Sequence, residues 1–148
     1  MTINLSNLLC YRLFSVVKAN EQLIDKYMET LHLNRTQWKV IARFNFLTMP
    51  CTQQELLASM GIDRAHLTRT LEQLEQKSLI RKERQLNDKR AYTIALTPKG
   101  QVVLQEVEKI LKLESASLEA GLSTTEQSIF KELLNKIEAK FFNEGPFA

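Results

Sequence analysis

The stretch from Thr52 to Leu74 constrains this chain more tightly than any other, because it sets two amphipathic helices end to end across a very short turn. Thr52-Gln-Gln-Glu55 is a capping box, in which the Thr hydroxyl accepts a first-turn amide hydrogen and the Glu side chain bonds back to the Thr amide. Leu56, Leu57 and Met60 supply the buried side of the first helix, and Gly61 stops it because glycine tolerates the left-handed conformation common at helix ends. Asp63 then caps the next helix at once, whose Leu67, Leu71 and Leu74 share one face. Two helices joined through so short a turn form a helix-turn-helix.

The residues that follow predict a β-hairpin. Leu79 to Arg84 and Ala91 to Leu96 read as short strands around a polar tip, Gln85 to Arg90, so the pattern is that of a charged wing. Thr97-Pro98 restarts a helix, with Thr as the cap and Pro at the first helical position, where its missing N–H is no loss. Val103, Leu104, Val107, Ile110, Leu111 and Leu118 continue that helix to about Gly121. Ser123-Thr-Thr-Glu126 caps a last one carrying Ile129, Phe130, Leu133, Leu134, Ile137 and Phe141.

Ahead of the helix-turn-helix, apolar positions from Leu5 to Leu31 recur at spacings of three and four and mark one long helix. Ile3, Cys10 and Phe14 widen its stripe beyond what one small core requires. Asn34-Arg-Thr-Gln37 is a further side-chain cap, opening a helix that turns Trp38, Val40, Ile41 and Phe44 inward. The fold class is therefore mainly α with a small β-wing, in one domain over residues 1–148. Residues 34–100 form the winged helix-turn-helix lobe, and residues 1–33 with 101–148 form a helical dimerisation layer.

Charge gives this outline a direction. The formal net charge is only +3, but residues 63–100 hold nine Lys/Arg against five Asp/Glu, while residues 101–148 hold five against eight. A basic middle beside an acidic tail is a nucleic-acid footprint, although a solvated charged surface gives a similar count. No apolar run is long enough to span a bilayer and the N-terminus lacks the features of a secretory signal, which places the chain in the cytoplasm with no membrane partner. Cys10 and Cys51 have no metal-ligand spacing and read as free, partly buried thiols; a redox sensor would need a lowered thiolate pKa. With two histidines, four glycines, no GxSxG and no phosphate-binding glycine loop, the chain does not read as an enzyme, and neither a metal nor a cofactor is expected.

On the second helix of the pair, Arg64, Ala65, Thr68 and Arg69 face outward over the first two turns, with His66 at the flank. A helix entering the major groove presents those turns to base edges, and Arg forms a bidentate contact with guanine. In the wing, Lys82, Arg84, Lys89 and Arg90 cluster so that an Arg could enter the narrow minor groove, with Asp88 orienting the Arg90 fork. Thr52 and Gln53 open the supporting helix and complete the candidate DNA contacts. The competing reading is a winged helix that docks another protein, which predicts apolar residues on the outward face.

Ile62 to Ile80, Asn87-Asp-Lys-Arg-Ala91 and Leu96-Thr-Pro-Lys-Gly100 together resemble the MarR family of winged helix-turn-helix regulators, and within it the SlyA-like branch. Leu33 to Trp38 and the helix order at both ends extend the resemblance over nearly the whole chain. It implies a homodimer on double-stranded DNA, with Arg69 as base reader, Arg90 as minor-groove residue and Asp88 as its partner. It also implies a cleft near Lys18, Trp38 and Thr70 for a small phenolic or aromatic carboxylate effector. One position departs from the pattern: Ser78 stands where the family usually has glycine, and a left-handed Ser there carries about 1 kcal/mol of strain.

Overall fold

The computed structural model describes residues 7–84 and 92–141, which divide into two compact units at Leu111 and Lys112. In the first unit α1 (Leu9–Glu29) buries only Ile24 and Met28 near its C-terminal end. It closes in a Schellman turn, with the Leu33 amide donating to Met28 O at 3.1 Å and His32 left-handed at φ 55°. α2 (Arg35–Arg43) opens on the Asn34/Gln37 capping box and buries Trp38, Val40 and Ile41. α3 (Gln53–Met60) opens on the Thr52/Glu55 box and ends at Gly61, whose φ of 62° glycine adopts without strain.

α4 (Arg64–Gln76) starts at Asp63, whose carboxylate accepts from the His66 amide at 2.8 Å. Its Leu67, Leu71 and Leu74 are all fully buried, so the spacing that predicted an inward stripe is realised. The helix ends in a second Schellman turn: Leu79 N donates to Leu74 O at 3.0 Å, and Ser78 is left-handed at φ 58°. The strain expected at this serine is therefore present.

The hairpin strands are β2 (Ile80–Arg84) and β3 (Tyr92–Leu96), paired antiparallel with Ile80 opposite Leu96 and Arg84 opposite Tyr92. Ile94 and Leu96 alternate inward along β3, as a half-buried strand requires. A two-residue strand, β1 (Cys51–Thr52), pairs with the other edge of β3 and makes the sheet three-stranded in the order β1-β3-β2. Sequence spacing did not indicate β1, because two residues carry no period. Cys51 is a free thiol, as expected, but fully rather than partly buried; burial pushes its thiol pKa up and the nearby Glu55 charge adds to the effect. The expectation of two partly buried thiols is corrected at the other cysteine as well, since Cys10 is exposed.

α5 begins at Pro98 and runs to Glu119. Thr97 closes its first turn by accepting from Gly100 N at 3.0 Å while donating to Ser78 O at 2.6 Å. Gly100 is required here for room, since a Cβ would stand 1.9 Å from the carbonyl oxygen of Leu79. In the second unit α6 (Thr124–Glu138) opens on the Ser123/Glu126 box and buries none of its side chains. Among the described residues no helix is long and apolar enough to cross a membrane.

Candidate nucleic-acid interface

Because α4 spends its leucine face on the core, its other face is free at the N-terminal end. Arg64, Ala65 and Arg69 are exposed there, with Thr68 half-buried beside them. The Asp63 cap holds this turn in place. The hydrogen bond from the His66 amide, the largest influence on it, keeps the Asp63 carboxyl below the ordinary carboxylate range.

The sequence reading set Thr52 with Gln53, Arg64 and Arg84 on three elements, and the fold brings them to one shallow groove of about 830 Å³, shared with Lys82 and Tyr92. The Arg84 guanidinium lies 5.8 Å from the centre of the Tyr92 ring, a cation–π arrangement that steadies it at the base of the wing. Lys82 pairs with Glu75 at 3.3 Å and so ties β2 to α4. The Thr52 hydroxyl is taken up by its capping box, donating to Glu55 at 2.8 Å. Asp88, Lys89 and Arg90 lie outside the described residues.

Arg69 lines a different hollow, of about 270 Å³, together with Thr36, His66 and Thr70. The His66 ring is not free at the flank of α4: its Nε2 is 3.2 Å from Thr36 Oγ1 on α2. Thr70 is buried and donates its hydroxyl to His66 O at 2.9 Å. Trp38 sits in the core and its indole N–H donates to Asp25 at 2.8 Å. Burial works against ionising Asp25, but hydrogen bonds from Arg35 and Trp38 and the charges of Arg35 and Lys39 outweigh it and lower its pKa. Lys18 is exposed on α1. Of the three residues expected at an effector cleft, Thr70 lines the hollow beside Arg69.

Two links between helices had no signal in the sequence, because their partners are distant in the chain. Gln53 Nε2 donates to Thr68 Oγ1 at 2.7 Å, joining α3 to the outward side of α4. Buried Gln37 donates to Gln73 at 2.9 Å and accepts from Lys77 at 2.7 Å, locking α2 to α4. The outward arginines thus stand on a helix held by polar bonds at both ends and by leucines between. The surface is open, cationic and rigidly backed, which suits docking on a charged polymer. Among the described residues no cluster of His, Cys, Asp or Glu could hold a metal ion.

Known proteins share this fold. Residues 33–92 match the model described as the MarR family. The chain is similar to the transcriptional regulator PA3341, with 28% identity, 93% of this chain and 100% of that one covered, and a TM-score of 0.78. A mutant of MarR from E. coli complexed with operator DNA has 24% identity and a TM-score of 0.74, with coverage of 92% and 99%. BpsR of Bordetella bronchiseptica, whose DNA binding is described as regulated by 6-hydroxynicotinic acid, has 19% identity and a TM-score of 0.77, with coverage of 93% and 98%. Residues 33–92 thus match the MarR family, and the chain around them has the winged-helix fold of that family's transcription regulators.

Proposed function

We propose that this chain is a cytoplasmic, non-enzymatic transcription regulator of the SlyA-like branch, binding double-stranded DNA as a homodimer on an inverted-repeat site. α4 enters the major groove with Arg69 reading a guanine edge and Arg64 beside it. The wing follows the backbone, with Arg90 in the minor groove, oriented by Asp88, and Lys89 on phosphate. The observation that carries this reading is the outward face of α4: Arg64, Ala65 and Arg69 are exposed with no large apolar side chain among them. A helix used to dock a protein would present an apolar anchor there. The branch assignment rests on the resemblance of Ile62 to Ile80, Asn87 to Ala91 and Leu96 to Gly100.

The homodimer is supported by the exposed Leu9, Phe14 and Val17 of α1 and the exposed Ile129, Phe130 and Leu133 of α6. A small aromatic acid as effector is supported by the BpsR relative and by the hollow beside Arg69, where the guanidinium would meet a carboxylate and Thr70 closes the floor. Trp38 then serves as core rather than as a wall of that site.

Selection of bound sequences from random duplex DNA tests the whole reading. Enrichment of an inverted repeat, with half-site centres about one turn or roughly 34 Å apart, is expected. An unrepeated half-site would remove the dimer geometry. Absence of any enriched sequence would favour the protein-docking alternative.

A further inference from the structure

We infer that Thr68 reads DNA with its methyl group, as a detector of the thymine C5-methyl, and that Gln53 is the positioning residue that makes it do so. The inference rests on the DNA-binding reading above. Thr68 stands on the outward side of α4 between Arg64 and Arg69, and a threonine there has two chemically different ends to offer a base. Its hydroxyl could bond almost any base edge, whereas its methyl makes a favourable contact only with thymine.

The hydrogen bonds of Thr68 favour the methyl end. The Thr68 hydroxyl donates its single hydrogen to Arg64 O at 2.9 Å and accepts from Gln53 Nε2 at 2.7 Å. A hydroxyl has one hydrogen, so with that hydrogen given to Arg64 the group facing it from Gln53 must be the amide NH₂; the bond therefore also fixes which way the Gln53 amide is turned. The single hydrogen of Oγ1 is taken by its own helix, and one of its two lone pairs by α3. Donating to a base edge would break the bond to Arg64 O before making one outside the protein. Thr68 is half-exposed, and its γ-methyl is the end that meets a base with no such exchange. Gln53 cannot be replaced in this role by its neighbours in the capping box, because Thr52 and Glu55 are bonded to each other.

The test uses the full-length protein and a duplex taken from the random-sequence selection, with each thymine of one half-site replaced in turn by deoxyuridine, which removes only the methyl. At one position the affinity should fall roughly fourfold, the equivalent of about 0.8 kcal/mol for one buried methylene. Thr68→Val, which keeps the methyl and loses the hydroxyl, should retain that ratio; Thr68→Ser, which keeps the hydroxyl and loses the methyl, should bring it to one. Gln53→Met, which fills the same space without a donor, should bring the thymine-to-deoxyuridine affinity ratio toward one. A merely structural Gln53 would lower the affinity for both duplexes together and leave their ratio as it is. A half-site without thymine, uniform affinity throughout the deoxyuridine series, or a Thr68→Val protein that loses the ratio as Thr68→Ser does would each overturn the inference while leaving DNA binding intact. Failure of the selection to enrich any sequence would instead overturn the function on which it rests.

Discussion

α4 and α6 carry similar stripes of apolar residues at helical spacing, yet α4 buries every leucine of its stripe while α6 leaves Ile129, Phe130 and Leu133 about half exposed. Both helices begin on a side-chain cap, so the difference does not lie in how they start. It lies in what each face meets. The stripe of α4 is completed by α2, α3 and the sheet within its own unit, whereas the second unit holds no buried apolar side chain among the described residues. An amphipathic helix whose face stays open within one chain has its partner elsewhere, and a second copy of the chain is the partner proposed here.

The sharpest way to break this comparison is one substitution on each helix. Leu71→Ala, at a site with no exposure, should lower the unfolding free energy by roughly 2 to 5 kcal/mol, seen as a lower urea midpoint. Leu133→Asp should leave the far-ultraviolet helix signal intact and convert a dimer to monomer in sedimentation at micromolar concentration. If the monomeric state does not appear, the α6 stripe is not the interface. Next in size is Gly100→Ala, which forces a Cβ against the Leu79 backbone and should destabilise the protein by roughly 1 to 3 kcal/mol in the same urea titration. An unchanged midpoint would show that the junction between α4, β2 and α5 yields easily.

Ser78→Gly works in the opposite direction. Relieving a left-handed serine should raise stability by up to about 1 kcal/mol, or the melting temperature by about 3 °C. A lowered melting temperature would mean that the serine stabilises its turn by some other contact. The smallest effect belongs to the caps. Asp63, Glu55 and Glu126 have pKa values held below their ordinary ones, chiefly by hydrogen bonds from the backbone amides of His66, Thr52 and Ser123 respectively. Their stabilisation is therefore complete above the unfolded carboxylate values near pH 4 and is lost as pH falls through the lower folded values. Asp63→Asn, which still accepts at the cap, should flatten the acid end of the urea midpoint against pH. An identical profile in the variant would assign acid loss to other groups.

Much of the architecture was legible because it is written in local chemistry. The capping boxes at Asn34, Thr52 and Ser123, the Gly61 stop, the Asp63 cap and Pro98 each act within one helical turn, so a reader of the sequence meets cause and effect side by side. The outward position of Arg64, Ala65 and Arg69 followed from the same reasoning, as the residues left over when the leucines turn inward. Strand β1 was not legible, because a two-residue strand exists only through its pairing with β3. Nor was the partner of Trp38, whose indole N–H meets Asp25, thirteen positions away in the chain.

The amino-acid sequence by itself determined where the helices begin and end and which face of each is apolar, since caps and periodicity operate over four residues or fewer. Only the tertiary structure decided what those faces meet and which polar atoms remain free. It closed the α4 stripe and left that of α6 open, gathered Thr52, Gln53, Arg64 and Arg84 into one groove, and bonded the Thr68 hydroxyl to Gln53 across two helices. The physical reason is reach: a hydrogen bond or a packed side chain spans a few ångströms in space, and the chain separation it bridges leaves no periodic mark in the sequence.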